Sequence, residues 1–298
     1  MRIAFFGTGD VSAVYLQTLF DRGLAVVRVV TKQPKRRSRN GGIEPTPVAE
    51  LAAEHSIPVL TTLSALEPTE FDLGVVVSYG RILPAELVNA RPLLNVHYSL
   101  LPQLRGAAPV ERAILEGSTA SGVTLMRLVE EMDAGPVYAH EPVAIEGLNV
   151  SVAYDRLTAA GCRLLADWLA REDDWLDSEA RPQVGSVSYA PKIEPGDLVI
   201  RWHESALQGF RRHLLERAYF WVGERRIRLV RARVDLEDGD LVLGAIDHRG
   251  RIQTAKGMLV PELVRPEGRT TMPFLDFLRG APADRASSRP PGPVSDDR

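Results

Sequence analysis

The chain has 298 residues, 45% hydrophobic and 25% charged, with a formal net charge of −3, the profile of a globular protein long enough for two cores. That charge excludes whole-molecule attraction to nucleic acid or an anionic membrane, so any such partner has to be met by a local basic patch. One cysteine, Cys162, excludes an intramolecular disulfide and a cysteine-based metal cluster. The N-terminal apolar run is too short for a signal peptide, and no stretch nears the roughly 20 apolar residues of a membrane span, so a cytoplasmic protein is expected.

Ile3 to Phe6 is a short apolar run ending in Gly7-Thr8-Gly9, and Val11, Val14, Tyr15, Leu16 and Leu19 then recur at helical spacing. The pattern predicts a strand, a tight turn and a helix. Leu24 to Val30 reads as the second strand, Thr31 to Pro47 as a basic Gly/Pro-rich loop, Val48 to His55 as a helix and Ile57 to Leu60 as a strand. Leu73 to Val77 and Leu93 to His97 are apolar on both faces, and Val110 to Leu115 is a short helix. Such alternation predicts an α/β domain with a mostly parallel sheet covered on both sides. Gly122 to Leu128 and Val137 to Ile145 read as a hairpin or return, followed by a helix over Val152 to Leu169 and a charged, irregular stretch over 171–182.

A first domain over 1–185, a linker over 186–200 and a second domain over 201–280 follow from this pattern. The second domain reads as a helix over Leu207 to Leu215, then strands over Arg226 to Val234, Leu241 to Ile246, Ile252 to Thr254 and Leu259 to Val264. Asp238-Gly239 and Arg249-Gly250 mark turns between them, predicting a small β-barrel closed by a helix over Phe274 to Arg279. Residues 281–298, rich in Pro, Ser and charge, are expected to be disordered.

Ligands of a parallel sheet bind outside the carboxyl ends of its strands. Those ends are Gly7-Thr8-Gly9, Thr31, Ser78-Tyr79-Gly80 and Asn95-Val96-His97. Period-two alternation sets Asn95 and His97 on one face, where two polar side chains are costly to bury without purpose. His97 with a carboxylate makes an acid–base pair, and Asn95 can donate an amide N–H to a developing oxyanion. Glu130, Glu131 and Asp133 supply carboxylates in one Gly/Pro-containing loop, although spacing alone makes Asp133 a turn cap and Ser99 a loop residue. With no Ser or Cys nucleophile beside the pair, the substrate has to supply one. Gly7-x-Gly9 with Lys32 or Arg36 also permits an NADP-dependent oxidoreductase, but Ser12 stands where the third glycine belongs and no acidic residue ends strand two. A non-catalytic RNA-binding protein would leave Asn95 and His97 without a task.

Asn95-Val96-His97-Tyr98-Ser99-Leu100-Leu101-Pro102, followed by Arg105-Gly106-Ala107-Ala108-Pro109, resembles the signature of the 10-formyltetrahydrofolate-dependent formyltransferases. Tyr79 to Pro84, Met132 to Pro136, Tyr189 to Ile193 and Asp276 to Gly280 extend the likeness over nearly the whole chain, the last two toward the tRNA-acting branch. The resemblance implies a Rossmann-like formyltransferase domain followed by an OB-like β-barrel. It implies catalytic roles for Asn95, His97 and Asp133. It implies folate contacts for Ser99, Leu100, Leu101 and Pro102, and for Tyr79, Gly80, Arg81, Ile82 and Leu83. The formyl donor would be 10-formyltetrahydrofolate and the acceptor the α-amino group of methionyl initiator tRNA, with no metal, membrane or obligate protein partner. Lys32, Lys35, Arg36, Arg37 and Arg39 match a basic loop that the family inserts into the acceptor stem, while Arg211, Arg212, Arg217, Arg225, Arg226 and Arg228 are candidates to track phosphates. A sugar-nucleotide N-formyltransferase would share the donor and the three catalytic residues; the basic loop and the C-terminal match argue against it. The chain departs from the family at Ala218 to Glu224, shorter than the usual Pro-rich segment, and at Gly9-Asp10, where Pro-Asp is common.

Overall fold

A computed structural model describes residues 1–36, 42–171, 180–280 and 285–289. The chain forms two compact units. The first comprises Met1–Pro109, Ala120–Ala144 and Tyr154–Ala190, and the second Val110–Thr119, Ile145–Ala153 and Pro191–Arg298. Among the described residues no helix is long and apolar enough to cross a membrane.

The chain opens with strand β1 (Ile3–Phe6), helix α1 (Asp10–Asp21), strand β2 (Val26–Val30), the short strands β3 (Lys35–Arg36) and β4 (Ile43–Glu44), helix α2 (Pro47–Glu54) and strand β5 (Val59–Leu60). Strand β6 (Leu73–Val76), helix α3 (Ala85–Ala90), strand β7 (Leu93–His97), helix α4 (Pro109–Glu116), strands β8 (Ala120–Arg127) and β9 (Val137–Ala144) and helix α5 (Val150–Leu169) follow. The seven-stranded sheet of the first unit runs β5-β2-β1-β6-β7-β8-β9. Its first five strands are parallel, and β8 then pairs antiparallel with both β7 and β9. All four residues of β1 and of β6 are buried, as expected of strands covered on both faces. Each large apolar side chain so buried contributes about 1.5–3 kcal/mol.

The turn after β1 accounts for Gly7 without a nucleotide. A Cβ on Gly7 would lie 2.6 Å from that of Ser12, whose hydroxyl donates to the Val77 carbonyl at 2.7 Å. Gly7 thus permits α1 to approach the sheet, and Ser12 ties the helix to the end of β6. The basic segment expected to be a loop carries a two-stranded ribbon, β3 paired antiparallel with β4; Arg37 and Arg39 lie outside the described residues.

The second unit contains helix α6 (Ala206–Leu214), strands β10 (Tyr219–Val222), β11 (Arg225–Asp235), β12 (Ile252–Gln253), β13 (Met258–Pro266) and β14 (Met272–Pro273), helix α7 (Phe274–Gly280) and strand β15 (Ala286–Ser287). Its antiparallel sheet runs β12-β13-β11-β10-β15, with β14 on β13, giving the barrel-like architecture expected. Phe220, Ile227, Leu229, Leu259, Val264 and Phe274 fill its core.

Three expectations are corrected in this unit. Leu241 to Ile246 is not a strand: Leu241, Val242 and Leu243 are all exposed, and Ile246 makes only an isolated bridge to Ile252. The apolar run therefore lacks the buried face that a ladder would bring. Tyr219–Val222, read only as a shortened segment, is a strand whose alternate residues Phe220 and Val222 are buried. Part of the stretch expected to be disordered is ordered, because Ala286–Ser287 pairs with β10 and Ala286 is buried.

Candidate active site

Strand β7 ends beside a cavity of about 510 Å3. Leu93 and Leu94 lock the strand into the core, while Asn95, Val96 and His97 line the cavity. Its other walls are the end of β6 and the loop to Leu83, the loop from Leu128 to Asp133, the Gly106–Ala107 turn, Pro109, and Tyr154 of α5. This is the carboxyl-end location predicted for a parallel sheet. It lies where the parallel order gives way to antiparallel pairing: Arg127 stands opposite Leu94, so the loop after β8 sets out from the amino end of β7 and Asp133 is the residue of it that reaches His97.

His97 is 6% exposed, and its Nε2 lies 2.9 Å from the Leu104 carbonyl oxygen. A carbonyl only accepts, so Nε2 carries a proton whether the ring is neutral or charged. Nδ1 is thereby the atom that changes protonation, and it stands 3.7 Å from Oδ2 of Asp133. That is too long for a hydrogen bond and within ion-pair distance of a protonated ring. The neutral ring presents a lone pair at Nδ1; a proton captured there faces the carboxylate. The tautomer is set by Leu104 and not by Asp133.

The three clustered carboxylates separate by partner. Glu130 accepts from the Asn89 amide at 3.0 Å, and Glu131 pairs with Arg105 at 3.3 Å. Asp133 accepts the Gly106 N–H at 2.8 Å and faces His97. Asp133 adopts φ 51°, an unusual conformation for a residue other than glycine. Asn95 is half-buried, and its amide makes no hydrogen bond among the described residues. An unused amide donor beside an acid–base imidazole can bind an oxyanion.

Tyr79, Gly80, Arg81, Ile82 and Leu83 all line the cavity. Ile82 and Met132 are 88% and 64% exposed, and so present apolar surface to both the cavity and solvent. Lys32 reaches the same rim: a Cβ on Gly80 would lie 2.5 Å from its Nζ. Lys35 and Arg36 form β3, which begins three residues after Lys32.

Ser99, Leu100, Leu101 and Pro102 are not among the lining residues. The Ser99 hydroxyl donates to the Gln103 carbonyl at 2.5 Å, Thr124 Oγ1 donates to the Ser99 carbonyl at 2.6 Å, and the Leu101 N–H donates to Thr124 Oγ1 at 3.2 Å. The segment is taken up in bracing the turn that follows His97. Burial pushes the Tyr98 hydroxyl up to about 12, and Tyr98 is hydrogen-bonded to Thr158 at 2.8 Å, so it is no proton carrier near neutral pH.

Sequence reasoning missed the Leu104 carbonyl, the Gly106 amide, Arg105 and Gln183. The first two are backbone groups with no side-chain signal. Arg105 and Gln183 meet across 78 positions of chain, Nη2 of the arginine donating to Oε1 of the glutamine at 2.7 Å.

A model of the formyl transferase family matches residues 1–167. The methionyl-tRNA formyltransferase of Thermus thermophilus is 36% identical over 298 residues, covering 94% of this chain and 96% of that protein. The methionyl-tRNA formyltransferase of Sulfurihydrogenibium sp. is 32% identical, covering 94% and 97%. Among solved structures, an N-formyltransferase from Helicobacter canadensis, in complex with folinic acid and dTDP-3-aminofucose, superposes with a TM-score of 0.65 at 14% identity, covering 88% of this chain and 98% of that one. HypX from Aquifex aeolicus, in complex with tetrahydrofolic acid, gives 0.61 at 22% identity, with 93% of this chain matching 47% of the longer one. At those identities the two structures bear on the fold alone.

Proposed function

The chain belongs to the formyl transferase family, with methionyl-tRNA formyltransferases as relatives along nearly its full length, and on that premise we propose how it moves a formyl group from 10-formyltetrahydrofolate to the α-amino group of methionyl initiator tRNA. The observation that carries the reading is the meeting of three groups on one cavity: the Asn95 amide, without a hydrogen bond among the described residues, His97 Nδ1 and the Asp133 carboxylate 3.7 Å from it.

The neutral amine attacks the formyl carbon and forms the new C–N bond. The carbonyl electron pair moves onto oxygen, where the Asn95 amide N–H meets the developing negative charge. The attacking nitrogen then carries an extra proton, which His97 Nδ1 accepts, leaving an imidazolium beside Asp133. As the oxyanion collapses, the bond from the formyl carbon to the folate nitrogen breaks. That nitrogen takes the proton from Nδ1. The products are formylmethionyl-tRNA and tetrahydrofolate, and the imidazole is again neutral. Tyr79 to Leu83 form the wall against which the folate lies. The test is transfer of radiolabelled formyl from 10-formyltetrahydrofolate to methionyl initiator tRNA, with an amino-sugar nucleotide as the competing acceptor. Labelled tRNA is the expected product; labelled sugar with unlabelled tRNA would overturn the acceptor.

The basic segment supplies the local positive charge that a chain of net charge −3 needs for a polyanion. Lys32, Lys35, Arg36, Arg37 and Arg39 are proposed to contact the acceptor end. Replacing Lys35, Arg36 and Arg37 together by alanine should reduce the slope of log K against log salt by about two to three, as expected for the loss of three phosphate contacts. An unchanged slope in tRNA-binding titrations would refute the contact.

A further inference from the structure

Asp133 faces His97 from a left-handed backbone, a conformation that aspartate adopts more readily than most residues but still at a cost. The structure shows what holds it. The side-chain amide of Gln183 donates to the carbonyls of both Asp133 and Gly135, at 2.7 and 2.9 Å. Its oxygen accepts from Nε and Nη2 of Arg105, at 3.1 and 2.7 Å. The amide is therefore used at both ends, and its orientation is unambiguous: a guanidinium can only donate, so the NH2 must point to the loop. Arg105 is itself 8% exposed and held at its backbone, its N–H donating to the Ser188 carbonyl and its carbonyl accepting from Ala190 N–H. The adjoining Gly106 N–H closes the arrangement on the Asp133 carboxylate.

We infer that Gln183, clamped by Arg105, is a positioning residue for Asp133, fixing the loop backbone from one side while Gly106 fixes the carboxylate from the other. Neither Arg105 nor Gln183 lines the cavity. Their effect on the reaction passes through Asp133, so the inference rests on the catalytic reading of that residue. Glu131 already faces the charge of Arg105, and the neutral amide adds a donor: a carboxylate at position 183 would offer none to the two carbonyls and would set its charge against them.

The test is a double-mutant cycle between Gln183→Ala and Asp133→Ala, read by formyl transfer under steady-state conditions. Loss of the clamp should lower kcat on the order of 10- to 100-fold, the scale of a displacement of about 1 Å at a reacting group, and leave KM for 10-formyltetrahydrofolate within about threefold. In the Asp133→Ala background the same substitution should cost less than about twofold. Gln183→Glu keeps the arginine contact and removes both donors, so it should reproduce the kcat loss without loss of folding; it decides the matter if Gln183→Ala fails to fold. Equal losses in both Asp133 backgrounds, or a folded Gln183→Glu with normal kcat, would overturn the inference. Full activity in Asp133→Ala alone would instead defeat the catalytic reading on which it rests.

Discussion

Replacing Asn95 by alanine should separate stability from catalysis. The amide makes no hydrogen bond among the described residues and the residue is only half-buried, so its removal leaves no protein donor or acceptor orphaned. The strand is held through other groups: Asn95 is paired in register with Val76 on one side and Met126 on the other, and those ladder positions survive truncation of the side chain. The stability change should therefore stay within about 1 kcal/mol. The catalytic loss should be far larger, because removal of one oxyanion donor costs about 10²- to 10³-fold in kcat, or roughly 3–4 kcal/mol of the barrier. Asn95→Asp should be worse than Asn95→Ala, since it offers an acceptor where the reaction needs a donor and adds like charge to a developing anion. Single-turnover formyl transfer with saturating donor, run beside thermal melting of each variant, measures both quantities. Asn95→Ala that turns over within about fivefold of the parent, or whose lost activity is matched by lost stability, would refute an oxyanion role.

Two further predictions concern the stability of each unit by itself. Gly135→Ala would place a Cβ 1.7 Å from the Arg127 carbonyl oxygen, a backbone atom already fixed by β8. The return loop must then separate from the strand, at a cost on the order of 3 kcal/mol and about 10 °C in Tm; an unchanged melting curve would contradict the geometry. In the second unit, burial alone would raise the Asp247 carboxyl. Hydrogen bonds from the Arg251 side chain and from the Arg251 and Arg249 N–H groups outweigh burial and hold it below the usual carboxylate range. A depressed folded-state value contributes stability above the unfolded value near 3.9, and that contribution is lost as pH falls through the folded value. Asp247→Asn should thus cost about 1–2 kcal/mol in denaturant titrations at pH 7 and progressively less below pH 4; a difference that grew on acidification would show the sign to be wrong.

The part of the site that could be read in the sequence is the part written in local pattern. Asn95 and His97 stand out because an apolar strand interrupted on one face at its carboxyl end is a short-range signal, and the structure gives that face a cavity. The parallel core was legible for the same reason: β1 and β6 are buried on both faces and therefore uniformly apolar. Asp133 was different. As one of three acidic residues in a turn, it owes its relation to His97 to the return of the loop after β8, and only the resemblance to a family distinguished it from Glu130 and Glu131. Gln183 falls between the irregular stretch over 171–182 and the linker expected from 186, and its polar character there is what an exposed connection would also have. Leu241 to Leu243 failed in the opposite sense, since local apolar content predicted a strand that no partner strand pairs with. The boundary is physical. Secondary structure and a strand-end pair depend on periodicity over a few residues, whereas the arrangement that makes them a catalytic site depends on hydrogen bonds spanning 27 and 78 positions, from Gly106 to Asp133 and from Arg105 to Gln183. Neither span leaves a periodic trace, so the residues that aim the aspartate are found only once the chain is folded.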